Sequence, residues 1–244
     1  MARITGVTDR QAGLQVRIAY FFTRRMLARL AGRAVPDGIE PLRVYARVPG
    51  LLKGIGSLEQ ATANRAKLNR LDNRTRALAE LRAATLTQCE YCIDLGSAVS
   101  RGWGLTDAEQ VALPHYRTSE EFSDVDKLVL DYATGMSTTP VDVPDELFGR
   151  LRAHFDDEQL VELTHLIALE NMRGRFNLAL GVGAAGYSDG MVCAVPATAP
   201  ATAPAKAPAK APANAPATAP ANPPATAPAT TPGTAPAPAE EPGS

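Results

Sequence analysis

Apolar side chains recur at helical spacing through most of the first 180 residues. Over residues 11–34 they fall at Leu14, Ile18, Phe21 and Phe22, then Met26, Leu27 and Leu30, the three-and-four spacing of one helix face. LRVYARVPGLLKGIGSLEQATAN, residues 42–64, predicts a second helix, broken or restarted near Pro49. LDNRTRALAELRAATL, residues 71–86, places Leu71, Leu78 and Leu81 on the apolar face of a third. CEYCIDLGSAVSRGWG begins another, which ends at Gly102 or Gly104. Thr106 to Glu109 reads as a capping box, and Ser123 to Asp126 offers a further N-cap. Pro144 suits the first turn of DELFGRLRAHF. Asp156 or Asp157 caps a last long helix running to about Leu180. Strand alternation is sparse, so the pattern predicts about seven helices and an all-α fold.

The pattern stops near residue 194. From Pro196 the chain is almost only Ala, Pro and Thr, with proline at every fourth position through Pro236. Such a stretch lacks the apolar side chains that offset chain entropy, so it is expected to be disordered and partly polyproline II. The expected organisation is a basic amphipathic helix in 1–38, a helical domain in 39–193, and a tail in 194–244. Net charge is −1, which gives no global attraction to nucleic acid. No apolar run reaches the roughly 18 residues of a membrane span, and MARITGVTDR lacks the apolar segment of a secretory leader. A cytoplasmic location is therefore expected. Charge changes the picture only at the N-terminus. Arg10, Arg17, Arg24, Arg25, Arg29 and Arg33 occur there, with no acid between Asp9 and Asp37. The plain reading is a solvated basic helix face; the sharper one is contact with a membrane surface or an acidic partner.

The candidate chemistry centres on Cys89 and Cys92. A structural zinc site takes about four ligands. The third cysteine, Cys193, is remote, and His115, His154 and His165 lack finger spacing. No metal or organic cofactor is therefore expected. Two cysteines can also simply pack, but this pair shares one helix face three residues apart, within reach of a disulfide. At a helix N-terminus the free amides and the macrodipole favour a thiolate at Cys89. Thiolate attacks a peroxide or a disulfide, and a second thiol closes the ring. A proton carrier must be near. Glu80 lies in a mostly apolar stretch, where burial would raise its pKa; otherwise it is an ordinary surface glutamate. His165 sits on the most apolar helix, as a proton carrier or as a hydrogen-bonded core histidine. Glu162-x-x-His165 is only half of a di-iron motif, which requires two such pairs. Tyr91 and Asp94 are further proton carriers beside the cysteines.

R-T-R-A-L-A-E-L-R-A-A-T-L-T-Q-C-E-Y-C-I-D resembles the core motif of the carboxymuconolactone decarboxylase family, in its AhpD-like alkylhydroperoxidase branch. P-L-R-V-Y-A-R-V-P-G-L-L and N-M-R-G-R-F-N-L-A-L-G-V support the resemblance over roughly residues 40–190. It implies an all-α fold of antiparallel helices, assembled as a homo-oligomer. It also implies a thiol pair that reduces a hydroperoxide or disulfide substrate, with a lipoyl-type dithiol as electron donor. The pair carries over to Cys89 and Cys92. Two positions depart from the motif: Ala77 stands where the family has a glutamate, and Gly96 where it has a histidine. Glu80, one turn after Ala77, and His165, from the last helix, are the candidates for those roles. Cys89 is expected to be the more exposed thiol, and Gly96 to clear space beside the pair. Loss of both relay residues keeps a second reading open, an oligomeric binding or scaffold protein without catalysis. Decarboxylation of a lactone acid is a third, but it does not need the cysteine pair.

Overall fold

A computed structural model describes residues 2–63 and 71–194. The Ala/Pro/Thr-rich tail lies outside the described residues, and with it the expectation of disorder. Among the described residues there are helices and no strand. In chain order they are α1 (Leu14–Leu30), α2 (Glu40–Tyr45), α3 (Pro49–Ala63), α4 (Asn73–Thr87), α5 (Glu90–Gly102), α6 (Asp107–Ala112), α7 (Asp124–Ser137), α8 (Asp145–Arg152) and α9 (Asp157–Leu180). A 3₁₀ turn, Leu113–His115, follows α6.

The caps read from sequence form. Asp72 accepts from the Thr75 amide and starts α4. Thr106 with Glu109, Ser123 with Asp126, and Asp156 with Gln159 make capping boxes for α6, α7 and α9, each satisfying donors left free by the first turn. Pro144 stands at the N-cap of α8, one position earlier than expected. The predicted second helix is two helices, because Pro49 restarts the chain after α2 ends at Tyr45.

Helix α4 is the centre of the domain, packed against α5, α7 and α9. Its sequence predicts one apolar face, yet every residue from Thr75 to Thr85 except Glu80 is buried. The reason lies in its small side chains: Ala77, Ala79, Ala83 and Ala84 let three neighbours approach on different sides. Leu78 and Leu81 pack in one core with Leu163, Leu166 and Ile167 of α9. Two arginines on α4 are buried as well, each with a partner. Arg76 pairs with Glu162 at 2.8 Å. Arg82 donates to Thr134 Oγ1 at 3.0 Å and lies over the Tyr116 ring.

Helix α1 exposes Arg17, Arg25 and Arg29 of its basic face, and packs through Tyr20 and Arg24. Tyr20 is fully buried, and its hydroxyl donates to the Val7 carbonyl. Arg24 turns the same way and grips the Asp9 carboxylate with two hydrogen bonds. Leu14, Ile18, Phe21, Phe22 and Met26 consequently face outward, with Phe21 60% and Phe22 63% exposed. A tyrosine and a paired arginine thus anchor α1 in place of its aliphatic stripe.

Helices α9 and α4 approach each other closely at Gly174. A Cβ built on Gly174 would lie 2.6 Å from Thr87 Oγ1 and 2.9 Å from Thr87 Cβ. Glycine inside a helix ordinarily costs about 0.5–1 kcal/mol relative to alanine, but here the contact reverses the sign. Gly174→Ala is expected to destabilise the protein by about 1–3 kcal/mol through overpacking, read from urea unfolding. An unchanged or increased midpoint would mean that α9 does not depend on this contact.

Candidate active site

Helix α4 ends at Gln88, whose φ of 58° is left-handed. That residue turns the chain, so Cys89 becomes the N-cap of α5. Cys89 Sγ takes the place of a capping oxygen and accepts from the Cys92 amide at 3.3 Å. Cys89 and Cys92 are joined as a disulfide, with Cα atoms 5.2 Å apart. Both are buried, and the expected order of exposure is reversed: Cys89 is 0% exposed and Cys92 7%. Capping is the cause, since the N-cap sulfur folds back over the helix end while Cys92 lies one turn on.

Asn177 of α9 reaches the pair from the opposite side. Its side-chain Nδ2 lies 3.6 Å from Cys89 Sγ and 3.6 Å from Cys92 Sγ. It is 2% exposed. The same face of α9 carries Glu170 and Arg173, seven and four residues earlier, as helical periodicity requires. Arg173 donates to both carboxylate oxygens of Glu59, to Glu170 Oε2 at 3.0 Å, and stands 4.0 Å from Glu80 Oε1. Three carboxyl groups therefore share one guanidinium. Burial pushes Glu80 up to about 7, against the opposing pull of Arg173 and reinforced by Glu170. Burial raises Glu170 as well. An acid that titrates near neutrality is able both to give and to take a proton.

The structure brings Cys89 and Cys92 together and places Glu80 in the acid cluster on the adjoining turns of α4 and α9. It does not bring His165 to the thiols. His165 lies twelve residues before Asn177 on α9, roughly 18 Å along the helix axis, and its Nε2 is 3.1 Å from Thr62 Oγ1. Glu162 is held by Arg76 and by the Leu71 amide. Asp94 is not a free proton carrier. Its two oxygens accept from the amides of Ala185, Gly186, Tyr187 and Ser188 and from the Ser188 hydroxyl. Those bonds hold its carboxyl below the usual range despite burial, and they fix the segment after α9. Tyr91 donates to the Gly38 carbonyl at 2.6 Å, and burial raises its hydroxyl well above the ordinary value. Cys193 lies against Ser188 Oγ, away from the pair. A Cβ on Gly96, which is half-buried, would meet only Leu81 Cδ1, at 3.3 Å. Asn177, Arg173, Glu170 and Glu59 were not singled out from sequence; the one signal for the first three is the spacing of polar residues along a single face of α9, and Glu59 comes from α3. Among the described residues, no three His, Cys, Asp or Glu side chains converge as metal ligands, and no helix is long and apolar enough to cross a membrane.

The raised Glu80 has a thermodynamic consequence. Its ordinary pKa is 4.5 and its folded value about 7. The folded chain keeps this proton where the unfolded chain has lost it. The stabilisation is complete below 4.5 and is lost as pH rises through about 7. Glu80→Gln removes that loss, so the variant gains stability over the parent across this window and holds a constant advantage above it. Urea unfolding of both proteins between about pH 5 and pH 8 measures the difference; superimposable slopes would contradict a raised Glu80.

Comparison with known proteins follows the same outline. The sequence profile of the carboxymuconolactone decarboxylase family matches residues 49–132, which span α3, α4, α5, α6 and most of α7. The uncharacterised protein YnjA of Escherichia coli K12 is 36% identical over 177 residues, 70% of this chain and 91% of YnjA. The uncharacterised protein YdfG of Bacillus subtilis 168 is 30% identical over 142 residues, 58% of this chain and 94% of YdfG. Among solved structures, an AhpD-core, peroxidase-related protein of Ralstonia eutropha JMP134 superposes with a TM-score of 0.60 at 19% identity, covering 74% of this chain and 90% of its own. The debrominase Bmp8 superposes with a TM-score of 0.59 at 17% identity, covering 72% and 91%. The central helix, the turn at Gln88 and the cysteine pair are thus set in a shared all-α, AhpD-like framework, and this chain belongs to the carboxymuconolactone decarboxylase family.

Proposed function

We propose that the protein is a thiol–disulfide oxidoreductase that uses Cys89 and Cys92 to reduce hydroperoxides, with an external dithiol of the lipoyl type as electron donor. The observation that carries this reading is the pair itself: two cysteines at a helix N-terminus, disulfide-bonded, with an acid cluster centred on Glu80 nine residues earlier on α4. The greater exposure of Cys92 makes its sulfur the point of attack by the donor thiolate. The Cys89–Cys92 bond breaks and its electron pair goes to Cys89 Sγ, the capping sulfur. The donor's second thiolate then attacks the donor sulfur of the mixed disulfide. The donor leaves as a cyclic disulfide and Cys92 is released. In the oxidative half, a cysteine thiolate attacks one peroxide oxygen and the O–O bond breaks. The alcohol leaves with a proton, for which Glu80 is the available source. The partner thiol displaces water from the sulfenic acid and restores the disulfide.

A binding or scaffold role is the second reading, favoured by the outward stripe of Leu14, Ile18, Phe21 and Phe22 on α1. Patches of this kind mark interaction sites. Self-assembly, which family resemblance suggests, has this surface available to it.

Two experiments separate the readings. Cys89→Ser and Cys92→Ser each are expected to lower peroxide turnover with a dithiol donor by at least about a hundredfold, since the cycle needs both sulfurs. Turnover that survives either change would defeat the redox reading. Replacing Phe21 and Phe22 together by Asp is expected to lower the mass measured by light scattering while leaving turnover per chain measurable. An unchanged mass would remove α1 from the assembly surface.

A further inference from the structure

We propose that Asn177 is a catalytic hydrogen-bonding group for the thiol pair: its Nδ2 stabilises the thiolate released when the disulfide opens, and its Oδ1 accepts from the remaining thiol. This rests on the redox reading given above. Asn177 is the one side chain of α9 with a polar atom against both sulfurs, at 3.6 Å from each. Disulfide sulfurs carry no proton, so only the amide nitrogen is able to bond to them. The nitrogen has two hydrogens, enough for one to each sulfur. The other end of the amide is buried with no hydrogen-bond partner. A buried acceptor left unsatisfied is costly, and it persists here beside a pair of sulfurs, one of which gains a proton on reduction.

Reduction changes the inventory in a defined way. An external dithiol supplies two electrons and two protons. The sulfur–sulfur bond breaks, and the pair becomes one thiolate and one thiol, with the second proton released to solvent. A thiolate is a stronger acceptor than a disulfide sulfur, so the Nδ2 bond strengthens. Cys89 Sγ also receives the Cys92 amide and lies at the N-terminus of α5, which makes it the better-stabilised thiolate. The Cys92 thiol then has a proton to donate, and Asn177 Oδ1 is the neighbouring acceptor without a partner. The oxidised pair thus leaves half of the amide unused, and the reduced pair is able to use both halves. Asn177 therefore favours the reduced form and makes the disulfide a stronger oxidant.

The position is also built. Gly174, one turn earlier, permits the approach of α9 to Thr87, two residues before Cys89. The Tyr45 ring stacks on Phe176 at 4.0 Å and holds the adjoining residue.

The test compares the full-length protein with Asn177→Leu and Asn177→Asp. Each is equilibrated with mixtures of reduced and oxidised dithiothreitol, and the Cys89–Cys92 state is read by alkylation and mass spectrometry. The pH dependence of alkylation of the reduced protein is followed alongside. Asn177→Leu is expected to shift the equilibrium about tenfold towards the disulfide, about 30 mV for a two-electron couple. It is also expected to raise the pKa of the more acidic thiol by roughly one unit. Asn177→Asp places a carboxylate against the thiolate and is expected to shift both in the same direction. Circular dichroism of the oxidised variants checks the fold. Should Asn177→Leu fail to fold, Asn177→Asp supplies the same readouts. A folded variant with the parent's equilibrium and thiol pKa would overturn the role of Asn177 while leaving the redox reading intact. A parent protein whose pair does not exchange with dithiothreitol at all would overturn both.

Discussion

The approach of α9 to α4 governs the rest of the structure. At Gly174 the two helices come so close that no Cβ fits against Thr87. From that contact, helical periodicity sets everything on the same face of α9. One turn later Asn177 meets both sulfurs, while Arg173 and Glu170 on the preceding turn enclose Glu80. The alanines of α4 serve the same end, because a helix with larger side chains at 77, 79, 83 and 84 would hold its three neighbours apart. Small residues thus determine where the polar ones stand, and the chemistry follows from the packing.

The polar groups so placed are expensive to bury, and their arrangement offsets the cost unevenly. Arg76 and Glu162 form a close pair, and Asp94 takes five hydrogen bonds from a single loop. These groups serve the fold. Around Arg173, by contrast, three carboxyl groups share one cation, and burial raises Glu80 to about 7 and Glu170 above its ordinary value. A fully neutralised cluster would hold no exchangeable proton; this one is short of positive charge, and Glu80 is left with its proton. The same contrast separates Asp94 from Glu80 as proton carriers, although Asp94 is much nearer the cysteines in sequence.

Much of the fold was legible in the sequence because its signals are local. Capping boxes at Thr106, Ser123 and Asp156, the break before Pro49 and the end of α9 at Leu180 all follow from short-range chemistry. The cysteine pair was legible for the same reason. The missed features are those that depend on tertiary packing. The apolar stripe of α1 does not reveal which face packs; Tyr20 and Arg24 find partners in the preceding loop and decide the orientation. Cys89 was expected to be the more exposed of the two thiols; here it caps α5 beneath α9. Asn177 carries no motif of its own, and its role is visible only once α9 lies across the turn at Gln88. His165 looked suitable on an apolar helix, yet its distance along α9 keeps it with Thr62 and away from the sulfurs.

Ionisation of the reduced cysteines is the most direct measurement of the central claim, that Cys89 and Cys92 form a reactive pair shaped by the end of α5 and by α9. The rate of alkylation is followed against pH in the reduced wild-type protein, with mass-spectrometric assignment to Cys89, Cys92 and Cys193, and the protein is then treated with one equivalent of peroxide. A reactive pair predicts that one of Cys89 and Cys92 ionises well below the roughly 8.5 of a free thiol, and that peroxide joins these two and leaves Cys193 free. Ordinary or raised ionisation at both, with no linkage after peroxide, would contradict the claim and leave the cysteines as packing residues of a binding protein.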